Sequence, residues 1–270
     1  MRIFAIPDLQ VKKGVPVDHV DWIGQAVADY QPDVVVELGD LYDMPSLSLY
    51  DPAGSRPMEG ARYEDDIKSG NDAFARLDAP IRKAMRDKRG RWKPRLIKLM
   101  GNHEARIDRA IYREPKYTGV VGLHHLDTRG WERFDYLDRV WLGGVVFSHF
   151  FQSTHSQHAI GGTIDNMLNK IGASFVTGHV QGAKYGSRLM GTGETRHGAV
   201  YGSAYVHREH YRGNQGQRHF RGVFVMNEVR GGDYCPMPLT LDYLCRKYER
   251  KSLYDFLRAK YKNEDWTHVQ

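Results

Sequence analysis

Cysteine is nearly absent from this chain of 270 residues: Cys235 and Cys245 are the only two, and they show no CxxC spacing. That excludes a disulfide scaffold and a cysteine-ligated zinc site, and it fits a reducing compartment. Long hydrophobic runs are missing too, and none approaches the roughly 20 residues a membrane span needs. The opening stretch MRIFAIPDLQ is too short an apolar run for a signal peptide and leads into a polar turn. A cytoplasmic protein with no membrane partner is expected. Neither sign of charge dominates, since Lys+Arg 39 against Asp+Glu 33 leaves +6, which permits an anionic partner without demanding one. No internal repeat or low-complexity linker interrupts the chain.

What is present is the composition of a globular protein, 41% hydrophobic and 27% charged, long enough to bury a core without staples. A single domain over 1–270 is expected, with a polar and basic insertion at about 51–95 and a basic helical tail at about 241–270. Short apolar runs at Arg2 to Ile6, Asp33 to Leu38, Leu96 to Met100, Val145 to His149 and Ser174 to Thr177 read as buried strands. Val20, Ile23, Ala26 and Val27 recur at helical spacing and predict a helix over 17–30. A second helix is expected over 159–171, antiparallel strands over 183–229, and helix again from Leu241 to Tyr261. Strand, helix, strand in that order predicts a βαβ unit and an α/β fold with its chemistry at the carboxyl ends of the strands.

Those ends are where the informative residues lie. Asp8, Asp40, Asn102, His149 and His179 each follow a short apolar strand, and glycine directly precedes three of them, at positions 39, 101 and 178. Any one alone is the ordinary turn residue or hydrogen-bonded core histidine. Their systematic placement points to one crevice, and a mixture of carboxylate, amide and imidazole suits divalent ions such as Mn²⁺, Fe²⁺ or Zn²⁺.

The ordered blocks Asp8-Leu9-Gln10, Gly39-Asp40-Leu41-Tyr42-Asp43, Gly101-Asn102-His103-Glu104, Ser148-His149 and Gly178-His179-Val180-Gln181 resemble the calcineurin-like metallophosphoesterases. That family's pattern is DxH, GDxxD, GNH(E/D), a lone His and GHxH, and the resemblance spans residues 1 to about 181. It implies a four-layer α/β/β/α sandwich of two mixed β-sheets flanked by helices. It also implies two divalent metal ions about 3.5 Å apart. Mn²⁺ is the first choice, with Mg²⁺, Fe²⁺ or Zn²⁺ as alternatives. By the resemblance, Asp40 bridges both ions, Asn102, His149 and His179 complete the second, and Asp8, Gln10 and Gln181 fall on the first. A metal-bridging hydroxide then attacks phosphorus, His103 protonates the leaving group, and Asp43 orients His103.

The sequence departs from the pattern at Gln10 and Gln181, where the family has histidine on the same ion. Either the first site is oxygen-rich and prefers Mn²⁺ or Mg²⁺, or it is weak and the glutamines only hold water. Arg106 and Arg109 are candidate substrate-binding residues for phosphate oxygens, or structural partners of Glu104 or Asp108.

Two basic sets stand out. Arg82, Lys83, Arg86, Lys88, Arg89, Arg91, Lys93, Arg95 and Lys98 face a single acid, Asp87. They form either a solvated surface or a track for the DNA or RNA backbone. Arg246, Lys247, Arg250, Lys251, Arg258, Lys260 and Lys262 read as an exposed helix face. Tyr205, His207, His210, Tyr211 and His219 either stack on substrate bases or pack against a sheet.

The expected activity is a metal-dependent phosphoesterase, with a nuclease-like phosphodiesterase acting on nucleic acid first. A Ser/Thr protein phosphatase or small phosphomonoesterase is the alternative: GNHE with Glu104 resembles the protein-phosphatase and dinucleoside-polyphosphatase branches, whereas Met44-Pro45 stands where protein phosphatases carry Arg-Gly after GDxxD. A non-catalytic binding scaffold of the same fold is the reading from another class.

Overall fold

The structure is a computed structural model describing residues 1–51, 54, 55, 58–210 and 212–269. It is a mixed α/β fold with two mixed sheets. The first sheet is built from β1 (Ile3–Ile6), β2 (Val34–Glu37), β3 (Arg95–Leu99), β4 (Glu132–Phe134), β10 (Gly222–Arg230) and β11 (Asp233–Thr240), in the order β11-β10-β1-β2-β3-β4. β1 to β4 are parallel, and β10 joins β1 antiparallel. The second sheet runs β5-β6-β7-β9-β8, from β5 (Val140–Leu142), β6 (Val145–Phe147), β7 (Ser174–Thr177), β8 (Lys184–Leu189) and β9 (Thr195–Val200).

Period-two alternation along the strands sorts the layers. In β1, Ile3 and Ala5 enter a cluster with Phe147, Val176 and Ala199 of the second sheet. Phe4 and Ile6 enter the cluster that holds the helices α1 (Asp18–Tyr30), α2 (Tyr63–Asp87), α5 (Leu241–Glu249) and α6 (Leu253–Lys260). On the far side, Val146 and Phe175 pack with Met167 and Leu168 of α4 (Ile164–Ile171). Helix, sheet, sheet, helix is the four-layer sandwich that the motifs implied. α1 forms where expected, with Val20, Ile23, Ala26 and Val27 all fully buried.

Several boundaries differ. The stretch expected as an insertion contains α2, whose Phe74, Leu77 and Ile81 are buried in the same core as α1. It is an integral outer layer whose charged outer face hid the apolar stripe. α4 starts at Ile164 because Thr163 caps it, accepting from Asn166 N at 3.3 Å, after Gly161-Gly162. β9 pairs antiparallel with β8 but parallel with β7, and the described residues among 201–221 contain no extended strand. The tail breaks into α5 and α6 at Arg250, whose φ is 60°.

Candidate active site

The site sits at the carboxyl ends of β1, β2 and β3 in one sheet and of β6 and β7 in the other. Backbone bonds from Gln10 N to Asp40 O, Val11 N to Leu41 O and Asp43 N to Val11 O, at 2.8 to 2.9 Å, zip the loop after β1 to the loop after β2. Glu104 joins the loop after β3 to them. Its carboxylate is fully buried and accepts from Asp40 N (3.0 Å), Tyr42 N (3.0 Å) and Gly101 N (2.9 Å). The glutamate of GNHE therefore pins loops and makes no ion pair with Arg106 or Arg109. Glycine is required at 101, where a Cβ would stand 2.1 Å from Asp40 Oδ1. Gln10, Asp40 and His179 adopt φ of 42°, 57° and 65°, left-handed conformations that cost about 1–3 kcal/mol each.

Four of the seven expected ligands converge. One carboxylate oxygen of Asp40 and a ring nitrogen each of His149 and His179 lie within 4.8 Å of one another. Asn102 Oδ1 is 3.0 Å from His149 Nε2 and 2.7 Å from His179 Nδ1. His149 Nδ1 donates to Leu38 O at 2.8 Å, which turns Nε2 toward Asp40 Oδ2 at 3.2 Å. Two oxygen acceptors crowd that nitrogen, an arrangement that needs a proton or a metal cation between them. Burial lowers the His149 pKa, but Asp40 outweighs it and raises it to about 10. Burial and the neighbouring His149 push His179 down to about 4, so it is a neutral imidazole. Burial would raise Asp40, yet His103 and His149 hold it well below the usual carboxylate range. This donor set fits one divalent ion of borderline character.

The other three expected ligands do not form an equivalent set. Asp8 Oδ1 accepts from His179 N at 3.0 Å, and its Oδ2 is buried with no hydrogen-bond partner. Burial pushes Asp8 up to about 7, with Asp40 adding to it against His149. An orphaned carboxylate oxygen of this kind suits a cation. The glutamines do not, because Gln181 Nε2 donates to Gln10 Oε1 at 3.3 Å and Arg212 Nη1 donates to Gln181 Oε1. Each amide oxygen already accepts one hydrogen bond, that of Gln181 from a guanidinium that a metal would have to displace. In this arrangement the first position offers Asp8 and a shared Asp40. After dialysis the protein is expected to retain one ion per chain by elemental analysis, with a second binding only in excess Mn²⁺. Two ions at full occupancy would refute this.

His103 and Asp43 are paired, as expected. His103 Nδ1 donates to Asp43 Oδ1 at 2.8 Å and to Asp43 O at 2.8 Å, and its Nε2 lies 3.7 Å from Asp40 Oδ2. Burial lowers His103, but Asp40 and Asp43 outweigh it and Arg106 together, raising it to about 9. Arg106 lines the cavity, with Nη1 on Asp43 O (2.8 Å) and Met44 O (3.2 Å) and Nη2 3.4 Å from His103 Nε2. Arg109 differs from expectation. Its Nη2 donates to Asn102 O at 2.5 Å, and it supports that loop instead of lining the cavity.

The cavity measures about 1280 Å³. Besides the pair and the ligands, its wall includes Lys12, Lys13, Tyr50, Arg62, Arg208 and Arg212, with the acids Asp51, Glu59, Asp65, Asp66 and Glu209 among them. Of the aromatic and histidine group, Tyr205, His207 and His219 pack on one another, His210 lines the cavity, and Tyr211 lies outside the described residues. Lys12, Glu209 and Arg212 were missed by the sequence reading.

The basic strip lies largely at the opposite end of β3 from this site. Arg82 pairs with Asp78, and Arg95 with Glu132. The stretch 88–94 enters β3 at its amino end, where Trp92 Nε1 donates to Pro32 O at 2.8 Å. That is a strand length, about 15 Å, from the ligands. Lys98 is fully buried, its amine 3.8 Å from the Phe74 ring centroid with no hydrogen-bond partner, and burial pushes its pKa down against the pull of Glu37 and Glu104. Lys98→Met exchanges that unpartnered amine for an apolar side chain of similar length. It is expected to change stability by more than about 0.5 kcal/mol in urea unfolding, whereas a smaller change would return Lys98 to the surface class. In the second basic set, Arg246, Lys247 and Lys260 are paired with Asp242, Asp29 and Asp18.

No helix of the described residues is long and apolar enough to cross a membrane. Compared with known proteins, the chain matches no family model and no curated sequence.

Proposed function

We propose that the chain is a metal-dependent phosphoesterase of the calcineurin-like kind, hydrolysing a phosphate ester in the cavity described above. The observation that carries this reading is the convergence of Asp40, Asn102, His149 and His179 beside the hydrogen-bonded His103–Asp43 pair. When bound, the ion supplies Lewis-acid stabilisation of charge building on the phosphoryl oxygens. His103, raised to about 9, is protonated at neutral pH and donates that proton from Nε2 to the leaving oxygen. Asp43 holds the ring through Nδ1. Arg106 adds positive charge beside Nε2, where phosphate oxygens gather.

Among phosphate esters, a nucleic-acid phosphodiester is the substrate class that size supports best. The cavity exceeds the usual range of about 300–1,000 Å³ for small-molecule sites, and the exposed Tyr50 ring stands on its wall. The mixed charge of the wall limits this to a short stretch of chain. The paired His103 and Asp43 favour catalysis over a scaffold.

The test is a hydrolysis screen of dialysed protein with and without Mn²⁺, using p-nitrophenyl phosphate, its bis-ester, single- and double-stranded DNA, and a phosphopeptide. Mn²⁺-dependent cleavage of the bis-ester and of single-stranded DNA is expected. Turnover of the phosphopeptide alone would favour a protein phosphatase, and no turnover of any ester would remove the enzymatic reading.

A further inference from the structure

We propose that Lys12 is a positioning residue that fixes the carboxylate of Asp43, and through it the ring of His103, for proton donation. This rests on the phosphoesterase reading and adds a member to its proton-donating pair. The chain of contacts is continuous. His103 Nδ1 is 2.8 Å from Asp43 Oδ1, and Lys12 Nζ is 2.8 Å from Asp43 Oδ2. The same ammonium reaches Glu209 Oε1 at 2.8 Å and Oε2 at 3.0 Å. Glu209 Oε1 in turn accepts from His207 Nε2 at 2.6 Å.

The backbone dictates this placement. Asp43 N donates to Val11 O at 2.9 Å, which brings the next residue, Lys12, alongside Asp43. Glu209 is held from the other side, where Gln217 accepts from its N–H at 3.2 Å and donates to its carbonyl at 2.5 Å. All three sites are largely removed from water, with side-chain exposures of 21% for Lys12, 8% for Asp43 and 2% for Glu209.

The count of donors separates positioning from substrate binding. An ammonium has three N–H donors, and the three acceptor oxygens of Asp43 and Glu209 use them. Lys12 therefore lines the cavity without a donor left for a phosphate oxygen. Held at both oxygens, the Asp43 carboxylate has one orientation. Without Lys12 it keeps only the His103 bond and faces the like charge of Glu209 across a buried gap.

Lys12→Met leaves two buried carboxylates facing each other with only their histidine partners, His103 and His207, and is expected to lose stability. Lys12→Met with Glu209→Gln removes the excess charge and restores it. On a phosphate ester with a poorly activated alkyl leaving group, both variants should lose about 10–100-fold in kcat with KM unchanged. On the p-nitrophenyl ester, whose leaving group needs no proton, the loss should be much smaller. A rise in KM with kcat unchanged would make Lys12 a substrate ligand. Equal losses on both esters, or full recovery of kcat in the double variant, would make its role structural; each of these overturns the proposal.

If the parent cleaves no ester, the function reading fails and NMR of the metal-free protein still decides. The Nδ1 proton of His103, assigned by its disappearance in His103→Asn, should be protected from exchange in the parent and lost to exchange in the double variant. An unchanged proton would overturn the positioning role by itself.

Discussion

Asp40→Asn is expected to strip the site of its ion and bring hydrolysis to background while the fold survives. The fold survives because asparagine keeps what the backbone needs. Its Oδ1 still accepts from His103 N, now at 2.8 Å, and asparagine tolerates the left-handed conformation at φ 57°. What it removes is the only carboxylate in the cluster with Asn102, His149 and His179. Removing an outer partner of a ligand typically costs about 10–100-fold in metal affinity, and loss of an anionic ligand should cost more. Elemental analysis after dialysis is the direct readout. Parent-like metal content in Asp40→Asn would sink the assignment of this cluster.

His103→Asn should give the opposite split, with metal retained and chemistry lost. The imidazole hydrogen-bonds to Asp43 through Nδ1, and its Nε2 lies 3.7 Å from Asp40 Oδ2, too far for a hydrogen bond to the cluster. A fall in kcat of about 10²–10⁴-fold is expected, steeper for poorly activated esters. Equal turnover of the variant and the parent on an alkyl ester would show that the proton comes from elsewhere. Measured together, the two variants separate metal binding from proton transfer.

The parts of this site that were legible in the sequence share one property: each is fixed by its near neighbours. A strand ends, glycine frees the turn, and the next side chain enters the crevice. That holds for Asp40, Asn102 and His179, and their place at strand ends follows from the hydrophobic runs before them. The four layers were legible through the motif resemblance and are sorted in the structure by alternation along β1. Lys12 and Glu209 meet across 197 positions of sequence, and nothing beside either predicts the other. Lys98 looked like one more member of a basic run because a strand of RLIKL gives no sign that its lysine points into a core. Arg109 looked like Arg106 because both follow GNHE, but they lie three positions apart on α3 (Arg106–Arg113) and reach different loops. Gln10 and Gln181 were legible as a departure, and only the structure shows that Gln10 Oε1 accepts from Gln181 and Gln181 Oε1 from Arg212.

Asp40 and Asn102 hang from the six-stranded sheet, whereas His149 and His179 hang from the five-stranded one. An ion held by all four would be a cross-link between the halves of the sandwich. The cluster would then act as a thermal fastener. Each tenfold rise in free metal above its dissociation constant adds about 1.4 kcal/mol to the folded state, so the melting temperature should climb with the logarithm of metal concentration. A cell that runs short of the ion would then lose the protein's durability.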